Sequence, residues 1–126
     1  MLYAILCYSA EAIVGTWSRE QDAQVMAHHF AVQAGLAAAG KLGPVVRLMP
    51  TTTAMTVRSG DQPLVLDGPY AETKEQLLGF YVVDCQTLDE VLALAKELSI
   101  KPGTMEVRPI MHFFEKNVPT TALSPP

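Results

Sequence analysis

Two cysteines in 126 residues cannot build a disulfide framework, and neither a CxxC pair nor a Cys/His zinc spacing is present. Basic charge is also scarce. Nine Lys and Arg stand against thirteen Asp and Glu, a net charge of −4, with no basic block. That balance argues against nucleic acid or an anionic membrane as a partner. No apolar run approaches the length that spans a bilayer. The segment Met1–Tyr8 is apolar, but it is short and lacks a Lys/Arg start, so it reads as a buried strand and not as a leader. A glycine-rich phosphate loop, a metal-ligand cluster and a nucleophile elbow are missing as well. What is present is a chain with 49% apolar and 17% charged residues, which excludes disorder for its bulk. The expectation is one cytoplasmic domain with reduced thiols, no cofactor and no metal.

Apolar residues at both parities in Leu2–Tyr8 predict a central strand, with Tyr3, Ile5 and Cys7 on one face and Leu2, Leu6 and Tyr8 on the other. Ser9–Trp17 reads as a loop. Ser18 with Gln21 three residues on fits a capping box, and Val25, His29, Val32 and Leu36 form one helical stripe that Gly40 ends. Leu42–Met49 reads as a strand. Ala54–Arg58 and Pro63–Leu66 flank a Ser-Gly-Asp-Gln turn and predict a hairpin. Ala71–Leu78 has the composition of a short helical turn. Gly79–Cys85 is a strand, Thr87 with Glu90 a second capping box, and Leu88, Val91, Leu92, Ala95 and Leu98 the stripe of its helix. Thr104–Met111 is the last strand, and residues 112–126 form a tail expected to fray. The order predicts an α+β fold, a ferredoxin-like βαββαβ sandwich with an inserted hairpin. Two helices cover one face of a four-stranded sheet, and the other face stays apolar, so a homodimer through sheet faces is expected.

Two constellations carry chemistry. His29 lies in an apolar stripe, where burial disfavours the cation. It is either a core histidine satisfied by a backbone carbonyl or, with a carboxylate behind it, a general base near neutral pH. Its neighbour His28 lies about 100° round the helix and is expected to be more exposed. Asp67-Gly68-Pro69-Tyr70 is a turn. Asp67 either caps it through its own side chain or serves as a polar group toward His29 or a ligand. Pro69 stiffens it, and Tyr70 supplies a hydroxyl or fills space. The run Glu72–Glu75 reads as a solvated face, and Cys7 and Cys85 as buried, unreactive thiols.

The string Asp67-Gly68-Pro69-Tyr70-Ala71-Glu72-Thr73-Lys74-Glu75, followed by Gly79-Phe80-Tyr81, resembles the signature of the DGPF group of YCII-related (YciI-like) proteins. His29, Ala39-Gly40-Lys41-Leu42, Thr56-Val57-Arg58 and Glu106–Ile110 agree with it in order, over about residues 1–111. The resemblance implies protomers of the dimeric α+β barrel type. It also implies an active site that pairs the helix His with the Asp of the turn, here His29 and Asp67; Gly68, Pro69 and Tyr70 of the same turn are then expected near the ligand. Tyr70 departs from the commoner Phe. Two functions follow. One is a small cofactor-independent enzyme whose His–Asp dyad performs general acid/base chemistry, lyase- or isomerase-like, on a small organic molecule. The other is a non-catalytic ligand-binding or regulatory dimer, suggested because many relatives are encoded beside sigma factors.

Overall fold

The computed structural model describes residues 1–115 together with 118 and 119. Its elements are β1 (Leu2–Ser9), α1 (Glu11–Val14), α2 (Arg19–Ala38), β2 (Leu42–Arg47), β3 (Met55–Arg58), β4 (Leu64–Asp67), β5 (Gln76–Asp84), α3 (Leu88–Leu98), β6 (Thr104–Pro109), β7 (Phe114–Glu115) and β8 (Val118–Pro119). The main sheet runs β2-β5-β1-β6, and every neighbour is antiparallel. This α+β arrangement is compatible with a ferredoxin-like sandwich. β3 and β4 pair with each other as a separate two-stranded sheet, the hairpin expected from the turn chemistry. The expected tail begins as the short β7–β8 ladder, and the remainder of residues 116–126 lies outside the described residues.

β1 sits between β5 and β6, as expected of a central strand. Tyr3, Ile5, Tyr81 and Val83 form one buried layer with Val91, Leu94, Ala95 and Leu98 of α3. Each fully buried aliphatic side chain there contributes about 1.5–3 kcal/mol. On the opposite face Leu6 and Phe80, paired across the strands, are only half-buried.

The starts of α2 and α3 are capped by hydroxyls, those of Ser18 and Thr87. Ser18 and Gln21 make the reciprocal box, with Gln21 N–H donating to Ser18 Oγ (3.1 Å) and Ser18 N–H to Gln21 Oε1 (2.9 Å). At α3 only half of the expected box forms. Thr87 accepts from Glu90 N–H, but the Glu90 carboxylate turns to Gln86 N–H and Lys41 Nζ instead. An ammonium draws that carboxylate more strongly than a neutral amide does.

Three expected segments need correction. Ser9–Trp17 is not all loop: Ser9 ends β1, Glu11–Val14 is helical, and the Glu11 carboxylate accepts both the N–H and the hydroxyl of Thr51. Ala71–Leu78 holds no helical turn. Residues 71–75 are irregular, and β5 begins at Gln76, three residues before the expected Gly79. The strand period wins because Leu77 and Leu78 extend the apolar run that pairs with β1 and meets Leu48. The buried face of α3 consists of Val91, Leu94, Ala95 and Leu98, while Leu88 is 53% exposed and Leu92 also faces outward. A residue every three or four positions fits two adjacent stripes, and packing on the sheet selects one.

Candidate functional site

β2, β5, β1 and α2 enclose a cavity of about 100 Å3. Most of its wall is apolar, including Trp17, Val25, Met26 and Phe80. Its polar groups are Asp22, His29 and Gln33 from α2, Arg47 from the end of β2, Tyr81 from β5 and residues of β1. His29 and Gln33 are four apart on one helical face, so both reach the same side of the sheet. Tyr81 comes from the inward parity of β5, beside Val83.

The imidazole is held by a phenol. His29 Nδ1 lies 2.6 Å from the Tyr81 hydroxyl, the rings stack at 5.9 Å with 28° between planes, and Gln33 Nε2 donates to the same oxygen at 3.0 Å. Burial, with help from the positive charges of His28 and Arg47, holds the His29 pKa below its ordinary value. Burial pushes the Tyr81 phenol up, against a smaller lowering from Gln33. Near pH 7 the pair therefore consists of a neutral imidazole and a neutral phenol. Nδ1 is engaged, which leaves Nε2 for a ligand. His28 is exposed, as expected, but it is anchored: its Nε2 lies 2.7 Å from the Glu97 carbonyl and ties α2 to α3.

At the cavity rim, Arg47 meets Asp22 in a two-pronged ion pair, Nη2–Oδ1 2.7 Å and Nη1–Oδ2 3.2 Å. The guanidinium holds the Asp22 carboxyl below the usual carboxylate range. Arg47 stands opposite Gly79 in the β2–β5 ladder. A Cβ on Gly79 would lie 2.2 Å from the Val46 carbonyl oxygen, so only glycine lets β2 pass this close and bring Arg47 to the rim.

Asp67 stands elsewhere. It ends β4 opposite Met55, is exposed, and does not line the cavity. Among the described residues its carboxylate makes neither an Asx bond nor a contact with His29, so within one chain the two expected dyad members are not brought together. Backbone bonds hold the turn instead. Gly68 N–H donates to the Ala54 carbonyl (2.7 Å), Thr56 Oγ1 donates to the Gly68 carbonyl (2.7 Å), and Gly68 takes φ +93°, a conformation that favours glycine. Gly68 and Pro69 are half-buried beside Glu11 and Thr51 on a second, open depression, and Tyr70 is 84% exposed. Cys7 borders the first cavity, and burial pushes its thiol up to about 11, which suits an unreactive group.

Sequence reasoning missed Tyr81, Gln33 and Asp22, and it left Arg47 as one of three strand arginines, with Arg58 and Arg108, any of which could pair with an acid near the site. Gln33 was open to discovery, one turn beyond His29. Tyr81 and Arg47 needed strand parity and register.

Among the described residues no helix is long and apolar enough to cross a membrane. An uncharacterized protein of Rhizobium meliloti (strain 1021) is 51% identical over 124 residues, covering 95% of this chain and all of that protein. Residues 1–114 match the YCII-related domain, and with nearly the whole described fold inside that match, the chain belongs to the YCII-related family.

Proposed function

We propose that the chain is a small enzyme that binds a small organic molecule in the α2–β5 cavity and moves a proton with His29, in a lyase- or isomerase-like reaction. One observation carries this reading: the 2.6 Å contact between His29 Nδ1 and the Tyr81 hydroxyl at the wall of an otherwise apolar cavity. A phenol supports both tautomers. When Nδ1–H donates to Tyr81, Nε2 has a lone pair and accepts a proton from the ligand. When the Tyr81 O–H donates to Nδ1, Nε2–H is a hydrogen-bond donor to the ligand; the proton is given back by the imidazolium formed in the first step, from Nε2, which returns the ring to neutral. Gln33 donates to the phenol oxygen in either state. Positioned acid/base catalysis of this kind supplies about 10²–10⁴-fold. Asp67 has a place in this scheme only if it arrives from a second copy. The test is solvent exchange. In D2O, a panel of small carbonyl compounds with acidic C–H bonds should take up deuterium with the wild type and not with His29→Ala. Equal uptake in both would refute the assignment.

A second reading, a ligand-binding or regulatory dimer without turnover, draws on the missing carboxylate at His29. An imidazole backed by a neutral phenol is a weaker base than one backed by Asp. Tight binding of a panel member with no exchange between pH 5 and 9 would favour it.

The working form in both readings is a homodimer of the dimeric α+β barrel type. The half-exposed sheet face and the hairpin support this. Met55, Val57 and Val65 are 60%, 65% and 61% exposed, and Leu64, Leu48, Met49 and Tyr70 are exposed as well. Exposed apolar side chains gathered on one hairpin are what monomers rarely leave in water and a second copy would cover. The unpaired thiols Cys7 and Cys85 fit a reducing, cytoplasmic setting.

A further inference from the structure

The Arg47–Asp22 pair stands at the rim of a cavity whose wall is mostly apolar. Arg47 is the only Lys or Arg on that lining among the described residues. Its planar fork matches a carboxylate with two parallel hydrogen bonds, and Asp22 occupies it in that manner. Both partners are substantially solvent-exposed, 54% and 37% at their side chains. An ion pair in such a position is worth only about 0–1 kcal/mol, so another carboxylate can replace Asp22 at small cost. The exchange would leave Asp22 free to point to water and keep Arg47 paired throughout. Trp17, Val25, Met26 and Phe80 offer the body of such a ligand an apolar bed, and His29 with Tyr81 stands on the same cavity.

We infer that Arg47 is the anion-binding residue of this cavity, and that Asp22 stands in for the carboxylate of a small organic acid with an apolar body. The inference rests on reading the cavity as a ligand site and gives that ligand its chemical class. Charge selects the acid over its amide, and the internal carboxylate sets the affinity by competing for the same fork. Asp22 therefore acts against binding although it lines the site, the opposite of an ordinary contact residue.

The full-length protein is titrated with benzoate and crotonate, and with benzamide and crotonamide as uncharged isosteres, while the His29 ring resonances are followed by NMR. The acids should bind about tenfold or more tightly than the amides, a difference of about 1.4 kcal/mol. Asp22→Asn should tighten binding of the acids several-fold and leave the amides unchanged. Arg47→Gln should erase the acid–amide difference, and Arg47→Lys should restore part of it. Acids and amides binding alike, no acid binding at tens of millimolar, or weaker acid binding in Asp22→Asn would overturn the inference. Loss of acid selectivity with deuterium exchange at His29 intact would refute the anion site alone. Acid binding with no exchange would refute the catalytic reading alone.

Discussion

The Nδ1 atom of His29 lies 2.6 Å from the hydroxyl of Tyr81, a residue 52 positions further along the chain, and the two rings stack on one another. The contact joins the middle of α2 to the middle of β5, so the orientation of the imidazole is tied to the packing of the core. Tyr3, Ile5 and Val83 flank Tyr81 in that core.

Tyr81→Phe keeps the ring and removes the oxygen that His29 and Gln33 share. The fold should survive with a loss of about 0.5–1.5 kcal/mol, the net worth of a hydrogen bond. Deuterium exchange into a bound ligand should fall by about tenfold to a hundredfold, because the imidazole loses the group that fixes its tautomer. Thermal melts and the exchange assay measure the two effects separately.

Since the His29 pKa is lowered on folding, the unfolded chain binds a proton more readily than the native one. Stability linked to this group is fully present above the ordinary histidine pKa and declines as pH falls from there through the lowered native value. Urea midpoints should drop between pH 7.5 and 5.5, and His29→Gln should flatten that slope. A wild-type slope unchanged by His29→Gln would contradict the assignment.

Leu98→Ala should cost about 2–5 kcal/mol, as expected for a fully buried leucine, whereas Leu88→Ala should stay within about 0.5 kcal/mol. Chemical denaturation of the two variants tests which stripe of α3 meets the sheet.

Gly79→Ala should destabilise by about 1–3 kcal/mol, since its Cβ would press on the Val46 carbonyl. The displacement of β2 should also weaken the Arg47–Asp22 pair, visible as changed resonances of the Arg47 side chain.

Charges on the hairpin, such as Val57→Asp with Val65→Lys, should convert the proposed dimer to a monomer in light scattering. A mass unchanged by these substitutions would place the interface elsewhere, and a wild-type monomer at micromolar concentration would remove it.

Much of this protein was legible in its residue order. The two-sided apolar run Leu2–Tyr8, the Ser18–Gln21 box, the hairpin turn and the stripe holding His29 are local patterns. Each follows from sterics and hydrogen bonding within a few residues, and the family signature rests on the same short-range strings. What tertiary structure alone decided were the pairings across the chain. Two apolar stripes were open to α3, and burial against the sheet chose the one with Leu94. The sequence offered His29 a carbonyl or a carboxylate, but strand register delivered the phenol of Tyr81 instead, while β4 carried Asp67 out on the hairpin. Arg47 and Asp22 met because a glycine let two strands come close. No spacing in the sequence encodes those meetings, since each depends on how elements formed far apart are brought together by the burial of apolar surface.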